Sequence, residues 1–208
     1  FRLDVHRRRS DRALEARVEH ERQLAQLNER LAGLEEIIRA SRTDLSHAPR
    51  EILAYLATHL GASQACFYQT LGSLRTQRKL RVLASYAGDA VAQLDQQLDW
   101  GEGLAGQCAA QGRVLSISDV PRDYWRIRSG MIDALPRHLL LMPVLLDDEV
   151  LGVLEFATLT GFTQEHLKLL EGAARVLGFA LFRLRAEVRT AAILRREAPS
   201  DYEAYGGA

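Results

Sequence analysis

The sequence has few cysteines, no net charge and no long apolar run. Its 208 residues include two cysteines, Cys66 and Cys108, which follow neither a CxxC pattern nor any other metal-binding spacing. They provide no disulfide framework and no metal site. A reducing compartment such as the cytoplasm is therefore favoured.

Charge and hydropathy argue against two further classes of protein. The 27 basic and 27 acidic residues cancel, so there is no overall electrostatic attraction for nucleic acid. No apolar run approaches the roughly 20 residues of a membrane-spanning helix, and no signal peptide is visible. The chain as given is expected to be soluble. It begins with Phe1 rather than Met, which predicts that it is part of a longer protein.

The composition supports one folded domain with helical extensions, because 47% of the residues are hydrophobic and 26% are charged. The stretch 139–156 is predicted to be its centre, with two β-rich runs on either side of Asp147 and Asp148. This short polar pair tolerates a left-handed φ and favours a hairpin turn. The first run is apolar on consecutive residues, which predicts a central strand covered on both faces.

The N-terminal segment is predicted to be a long helix with a coiled-coil seam. The seam residues follow one another at spacings of 3 and 4: Leu24, Leu27, Leu31, Leu34 and Ile38. A single helix leaves such a stripe uncovered, so parallel dimerisation with a second copy is expected. The first twelve residues include five arginines. This cluster is typical of a segment just cytoplasmic of a membrane helix, and equally of a solvated helix start.

Proline and glycine residues divide the next part of the chain. Pro49 predicts a helix start and Gly61 its end. Strands are predicted at 63–71 and 80–87, with a short edge strand within 93–100. Three spaced glycines then predict a tight turn into a short helix, which Gly112 ends before a strand at 114–118.

The closing helix is predicted to begin at Thr163 as its N-cap, with Phe162 and Leu167 as a hydrophobic staple. It has two apolar stripes. The first, assigned to a partner helix, consists of Leu167, Leu170, Ala174, Leu177, Leu181, Leu184 and Val188. The second, assigned to the sheet, consists of Leu169, Ala173, Val176 and Phe179. The first stripe continues past the expected sheet edge, which favours dimerisation; burial within one domain is the alternative.

The hairpin, the glycine-rich turn with its short helix, and the closing helix resemble those of GAF domains. The resemblance implies an α+β fold, in which a central antiparallel sheet has helices on both sides and coiled-coil signalling helices flank it at both ends. Three segments follow: an N-terminal coiled-coil helix (1–44), a GAF-like sensor domain (45–190) and a C-terminal tail (191–208).

The resemblance also implies a helical lid over one face of the sheet, in the aromatic and basic stretch 121–138. The candidate ligand-binding residues are Trp100, Asp119, Tyr124, Trp125, Arg128, Met131, His138, Met142 and Glu155. Two alternatives stay open, in which these residues have a structural role: the lid aromatics fill the gap above the sheet, and His138 is a hydrogen-bonded packing residue. Glu155 is a carboxylate among apolar neighbours and needs a partner if it is buried.

GAF domains are ligand-sensing and dimerising regulatory modules. The resemblance therefore implies a sensor module of a larger bacterial-type signalling protein, with a covalently linked output domain. The expected location is the cytoplasm, and one option is that the module is the cytoplasmic portion of an inner-membrane protein. The residues identify neither the ligand nor a cofactor: the cyclic-nucleotide motif of the family is missing, and no cysteine lies between Pro121 and His138 to hold a bilin.

Two other functions remain. One is a ligand-free dimerisation spacer. The other is a small GAF-fold enzyme such as a methionine sulfoxide reductase, but Cys66 and Cys108 do not reproduce the cysteine set of those enzymes. No catalytic residue is assigned.

Overall fold

The computed structural model describes residues 2–41, 47–72, 78–87, 97–118, 120, 127–129 and 132–197. Its helices are α1 (Arg2–Ala40), α2 (Ala48–Leu60), α3 (Gly103–Gln111) and α4 (Gln164–Glu197). Its strands are β1 (Gln64–Leu71), β2 (Lys79–Tyr86), β3 (Gln97–Asp99), β4 (Leu115–Ser118), β5 (Ile127–Ser129), β6 (Ile132–Ala134), β7 (His138–Leu146) and β8 (Glu149–Thr158).

The predicted hairpin is present at the centre of the main sheet. Strands β7 and β8 pair antiparallel on either side of Asp147 and Asp148, and Asp147 has a φ of 51°. The main sheet has the order β3-β2-β1-β8-β7-β4, and every neighbouring pair is antiparallel. Strand β7, formed by the first apolar run, is buried at six consecutive positions, Leu139 to Val144, as predicted for a strand covered on both faces.

Helices cover both faces of the sheet, as the predicted α+β class requires. On one face, α1, α2 and α4 pack against a core that includes Phe67, Leu154 and Phe156. On the other face, α3 packs through Ala105 and Cys108 against side chains of β7 and β8. None of the helices in the described part of the chain combines the length and apolar character that a bilayer span needs.

The predicted cap residues fix the helix ends. Pro49 lies in the first turn of α2, and both Gly61 and Gly112 follow their helices in the left-handed conformation. At the start of α4, the Thr163 hydroxyl accepts a hydrogen bond from the His166 N–H at 3.2 Å. The Thr163 N–H in turn donates to His166 Nδ1 at 3.3 Å, so the pair forms a reciprocal cap.

The predicted leucine seam of α1 is used largely within the chain. Leu34 is fully buried in the core, and Leu27, Leu31 and Ile38 are partly buried against it, whereas Leu24 is 45% exposed. The reason is that α1 runs along α2 and α4, and Leu31 meets α4 where Gly172 leaves room for it. A coiled-coil extension at this end is therefore not confirmed. The boundary at residue 44 stays a prediction, although α1 residues on both sides of Leu34 contribute to the same core.

The two stripes of α4 agree with the prediction only in part: Leu169 and Ala173, assigned to the sheet, are buried in the core as expected. Leu177 and Leu181, assigned to a partner helix, are buried in the chain's own core. Phe179, assigned to the sheet, is 63% exposed. Leu184 is half-buried, and the side chain of Val188 lies outside the described part. Because both stripes are apolar, their spacing alone could not tell which one faces the sheet.

The predicted helical lid is wrong for the residues that the structure describes. Strands β5 and β6 pair with each other antiparallel, through Ile127 with Ala134 and Ser129 with Ile132. This two-stranded ribbon is separate from the main sheet.

Candidate functional site

A row of polar and apolar side chains crosses the face of the sheet that α3 covers. Strand pairing places Ser85 opposite Cys66, Cys66 opposite Glu155, and Glu155 opposite Leu141. Residues directly opposite each other in an antiparallel pair project on the same face. Leu141 belongs to the core beneath α3, so the whole row faces this helix.

Glu155 is the charged residue at the centre of this row, and its side chain is 1% exposed. The Tyr68 hydroxyl donates a hydrogen bond to Glu155 Oε2 at 2.9 Å, from the neighbouring strand. A buried carboxylate is strongly unfavourable unless hydrogen bonds compensate for its lost hydration. Tyr68 supplies one such bond, as the sequence required.

Within the described residues, two buried oxygen atoms on the same face of the sheet have no hydrogen-bond partner, namely Gln64 Oε1 and Ser85 Oγ. Gln64 lies two residues before Cys66 on β1 and opposite Ala157, so it is on the same face. Buried polar atoms in native proteins nearly always have a partner, which can be a water molecule or a ligand. The pair therefore provides an acceptor and a hydroxyl that a small polar molecule can satisfy.

Both cysteines belong to this layer. Burial raises the pKa of the Cys66 thiol to about 12, with a side-chain hydrogen bond between Cys66 and Tyr68 opposing the shift and Glu155 adding to it. Burial, and then Glu155, raises the pKa of the Cys108 thiol to about 12 as well. Cys108 also donates a hydrogen bond from its thiol to the Arg113 carbonyl at 3.4 Å. Both thiols are therefore protonated near neutral pH, and a protonated thiol is a weak nucleophile.

Trp100 lies at the edge of the same layer. Its ring packs against the core beneath α3, and the Arg78 guanidinium lies 5.3 Å from the ring centroid in a cation–π contact. Arg78 also approaches the Glu149 carboxylate at 3.8 Å. The same carboxylate accepts a hydrogen bond from Arg185 of α4 at 2.9 Å.

Comparison with known families gives this arrangement its context. A family model described as GAF domain matches residues 43–181, which is more than half of the chain. The chain belongs to the GAF domain family. Among curated proteins, no sequence matches it significantly.

Solved structures of the same fold include GAF domains and an enzyme. The GAF domain of a phosphoenolpyruvate-protein phosphotransferase from Coxiella burnetii is 18% identical, with a TM-score of 0.65 over 78% of this chain and 96% of that chain. A GAF domain from an Acinetobacter phosphoenolpyruvate-protein phosphotransferase is 15% identical, with a TM-score of 0.65 over 79% and 98%. The free methionine-R-sulfoxide reductase from Neisseria meningitidis, in complex with its substrate, is 22% identical, with a TM-score of 0.58 over 78% and 92%. These identities establish the fold alone.

Of the nine predicted ligand-binding residues, Trp100 and Glu155 lie on the α3 side of the sheet in this GAF domain, Trp100 near the hairpin tip and Glu155 six residues further along β8 than Glu149. Met142 lies elsewhere: it is buried in the core on the opposite face, beneath the long helices. His138 is half-buried at the start of β7, and its ring lies beside Gly161. The remaining predictions concern positions outside the described residues, Asp119, Tyr124, Trp125 and Met131, or a side chain outside them, that of Arg128.

Three polar residues of the GAF site were missed from the sequence: Gln64, Tyr68 and Ser85. A signal for two of them was present, because Gln64, Cys66 and Tyr68 alternate along one strand and so share one face. Ser85 could be assigned only through its pairing with Cys66. Within the described ranges, no group of His, Cys, Asp or Glu side chains is arranged to hold a metal ion.

Proposed function

We propose that this GAF domain is the small-molecule-sensing module of a larger bacterial-type signalling protein. The observation that carries the proposal is the pair of buried oxygens Gln64 Oε1 and Ser85 Oγ, which lack a hydrogen-bond partner in the described part of the chain and lie on the same sheet face as the Tyr68–Glu155 hydrogen bond. Buried polar groups without partners destabilise a core that holds no ligand. In a binding site, by contrast, a few polar groups in an apolar wall orient the ligand. The ligand is a small polar molecule with at least one hydrogen-bond donor.

The long helices transmit occupancy of the site. Helix α4 touches β7 closely at Gly178, and α1 touches α4 at Gly172. A ligand that prefers one arrangement of sheet and helices shifts the population toward it by its differential affinity. A difference of about 1–3 kcal/mol is typical of such coupling.

A second copy of the chain completes the module. The apolar side chains exposed on the two long helices are Leu14, Val18 and Leu24 of α1 and Phe179 and Phe182 of α4. Burying these groups against a second copy is favourable. The homodimer then presents its flanking helices to an output domain in the same polypeptide. The module is cytoplasmic, and a transmembrane helix upstream of residue 1 would tether its parent protein to the membrane.

A thermal-shift screen tests the sensing role. The purified domain is heated with metabolite mixtures, and a ligand that binds the native state raises the unfolding midpoint in a concentration-dependent way. Ser85→Ala should reduce this rise, whereas Ser118→Ala, at an exposed position of β4, should not. If no mixture raises the midpoint, the domain is the alternative, a ligand-free dimerisation spacer.

Methionine sulfoxide reduction is the less favoured alternative. The Neisseria meningitidis enzyme of the same fold supports considering it. The raised pKa of both Cys66 and Cys108 argues against it, because reduction of a sulfoxide by a thiol needs a reactive thiolate. Turnover of free methionine sulfoxide by the purified domain with a thiol reductant would establish the enzyme and overturn the sensor proposal.

A further inference from the structure

A cavity lies on the opposite face of the sheet from the candidate site. Its volume is about 630 Å³, and it is bounded by α1, α2, α4 and strands β1 and β2. Phe67, Ile52 and Leu177 line it, and all three belong to the core beneath the long helices. Ligand pockets for small organic molecules have volumes of about 300–1,000 Å³. The cavity is therefore large enough for a molecule other than water.

The walls of this cavity are largely apolar. They are formed by Ile38, Ile52, Phe67, Leu83, Leu177 and Leu181. An apolar surface of this kind binds an aliphatic chain through the hydrophobic effect. Polar side chains are the smaller part of the lining: Ser41, Gln69 and Thr70, besides the charged residues. The body of an occupant is therefore hydrocarbon.

The rim of the cavity is positively charged. Three arginines line it, Arg81, Arg183 and Arg185, against one acidic residue, Glu187. Arg185 is held by Glu149 at 2.9 Å and by the Thr70 carbonyl at 2.7 Å. Arg183 lies 3.6 Å from Glu187.

Of these three arginines, Arg81 is the one with unused hydrogen-bond donors. Its Nη2 donates to Gln69 Oε1 at 2.9 Å, and within the described residues it forms no ion pair with a carboxylate. It is half-buried on β2, with its side chain on the cavity side. A planar guanidinium with unused donors matches a carboxylate in geometry and charge. Ala48 and Pro49 also place the first turn of α2 at the cavity, where the partial positive charge of the helix end favours an anion.

We propose that this cavity is a second ligand site, which takes a medium-chain aliphatic carboxylate. The alkyl chain lies on the apolar walls, and the carboxylate accepts hydrogen bonds from Arg81. The site does not depend on the polar cluster beneath α3, because the sheet separates the two. Its wall includes α4 from Leu177 to Glu187, so an occupant touches the helix directly.

Calorimetric titration with decanoate, below the concentration at which it forms micelles, tests the proposal on the whole chain. Saturable binding with one decanoate per chain is expected, and decanol should bind at least tenfold more weakly because it lacks the charge. Arg81→Gln should weaken decanoate binding by about tenfold or more, since a charge-assisted hydrogen bond is lost. Arg175→Gln, which removes an exposed positive charge from α4 outside the cavity, should leave the affinity unchanged.

A second pair of variants tests the location. Ala180 lines the cavity from α4, so Ala180→Phe fills part of it and should abolish binding. Ala186→Phe, at an exposed position of the same helix, is the matched control and should bind as the unmodified chain does. In methyl NMR spectra, decanoate should shift the resonances of Ile52 and Leu181 and leave Leu139 and Leu141 unmoved. An absence of saturable binding, or binding that Arg81→Gln and Ala180→Phe leave intact, overturns the proposal.

Discussion

Gly178 of α4 lies directly against the backbone carbonyl of Leu145 at the end of β7. A Cβ at this position would overlap the carbonyl oxygen, so glycine is required by packing and not by its φ. The contact fixes the distance between the closing helix and the central hairpin. Because backbone atoms cannot turn aside as a side chain can, the whole helix must move to admit a methyl group.

Gly178→Ala should therefore destabilise the domain, although the same change in a free helix stabilises it by about 1 kcal/mol. We expect a loss of about 1–3 kcal/mol in the free energy of unfolding, measured by urea denaturation. Gly172→Ala is the matched control. There the new methyl group would meet Leu31 Cδ1 at 2.8 Å, and a flexible side-chain end can move. Equal effects of the two substitutions would contradict the backbone contact.

Tyr68→Phe tests the hydrogen bond to the buried carboxylate. Removing the hydroxyl takes a donor from Glu155, and loss of a hydrogen bond to a charged group costs about 1.5–3 kcal/mol of stability. Tyr86→Phe, on the neighbouring strand and without a side-chain hydrogen bond among the described residues, should change stability by about 0.5 kcal/mol or less. Chemical denaturation of the two variants measures the difference. A Tyr68→Phe variant as stable as Tyr86→Phe would show that the bond is unimportant.

The raised pKa values of the two thiols predict that the stability of the domain decreases at alkaline pH. Their pKa rises from 9.0 to about 12 on folding, so the folded chain holds protons that the unfolded chain releases. Stability from this source is complete below pH 9 and is lost as the pH rises toward 12, by at most about 1.4 kcal/mol per pH unit for each thiol. The double variant Cys66→Ala with Cys108→Ala should show a shallower decline over that range. Parallel curves for variant and unmodified protein would mean that the thiols do not titrate as stated.

Ser85→Ala separates binding from stability. The hydroxyl is buried without a partner among the residues that the structure describes, so its removal should leave the free energy of unfolding of the ligand-free domain unchanged within about 1 kcal/mol, or increase it. The stabilisation by a ligand found in the thermal-shift screen should nevertheless decrease. A large loss of stability without ligand would indicate that Ser85 has a structural partner instead.

Phe179→Glu combined with Phe182→Glu tests the proposed dimer. Both phenylalanines are at least half exposed, so the change should not disturb the core of one chain. We expect the dimer dissociation constant, measured by analytical ultracentrifugation, to rise at least tenfold, or about 1.4 kcal/mol. Lys168→Glu, an exposed change of charge on the same helix, should have a much smaller effect. If the unmodified chain is already a monomer at micromolar concentration, dimerisation through these helices is refuted.

Local signals in the sequence predicted the elements well, and long-range packing was harder to predict. Asp147 and Asp148 located the hairpin, and Pro49, Gly61, Gly112 and Thr163 located helix ends, because each of these residues acts on its own backbone. The buried row could not be assembled in this way. Tyr68 and Glu155 are 87 positions apart, and only the strand order brings them together.

The faces of the strands were a second difficulty. Met142 and Leu141 are adjacent and both apolar, so nothing in their type indicates that one faces α3 and the other the long helices. The irregularity between Val144 and Leu145 also shifts the register near the turn. Alternation counted from the turn holds along β7, but Leu151 is an extra residue in β8, so the same count assigns the rest of β8 to the wrong faces.

Glu149, at the tip of the central hairpin, pairs with an arginine on each face of the sheet. Its single carboxylate is the counter-ion of Arg78, which stacks on Trp100, and of Arg185, which lines the cavity beneath α4. If one guanidinium group moves away from Glu149, the attraction between its carboxylate and the other guanidinium is less divided. The tip of the hairpin thus holds one carboxylate that is shared by arginines on the two faces of the sheet.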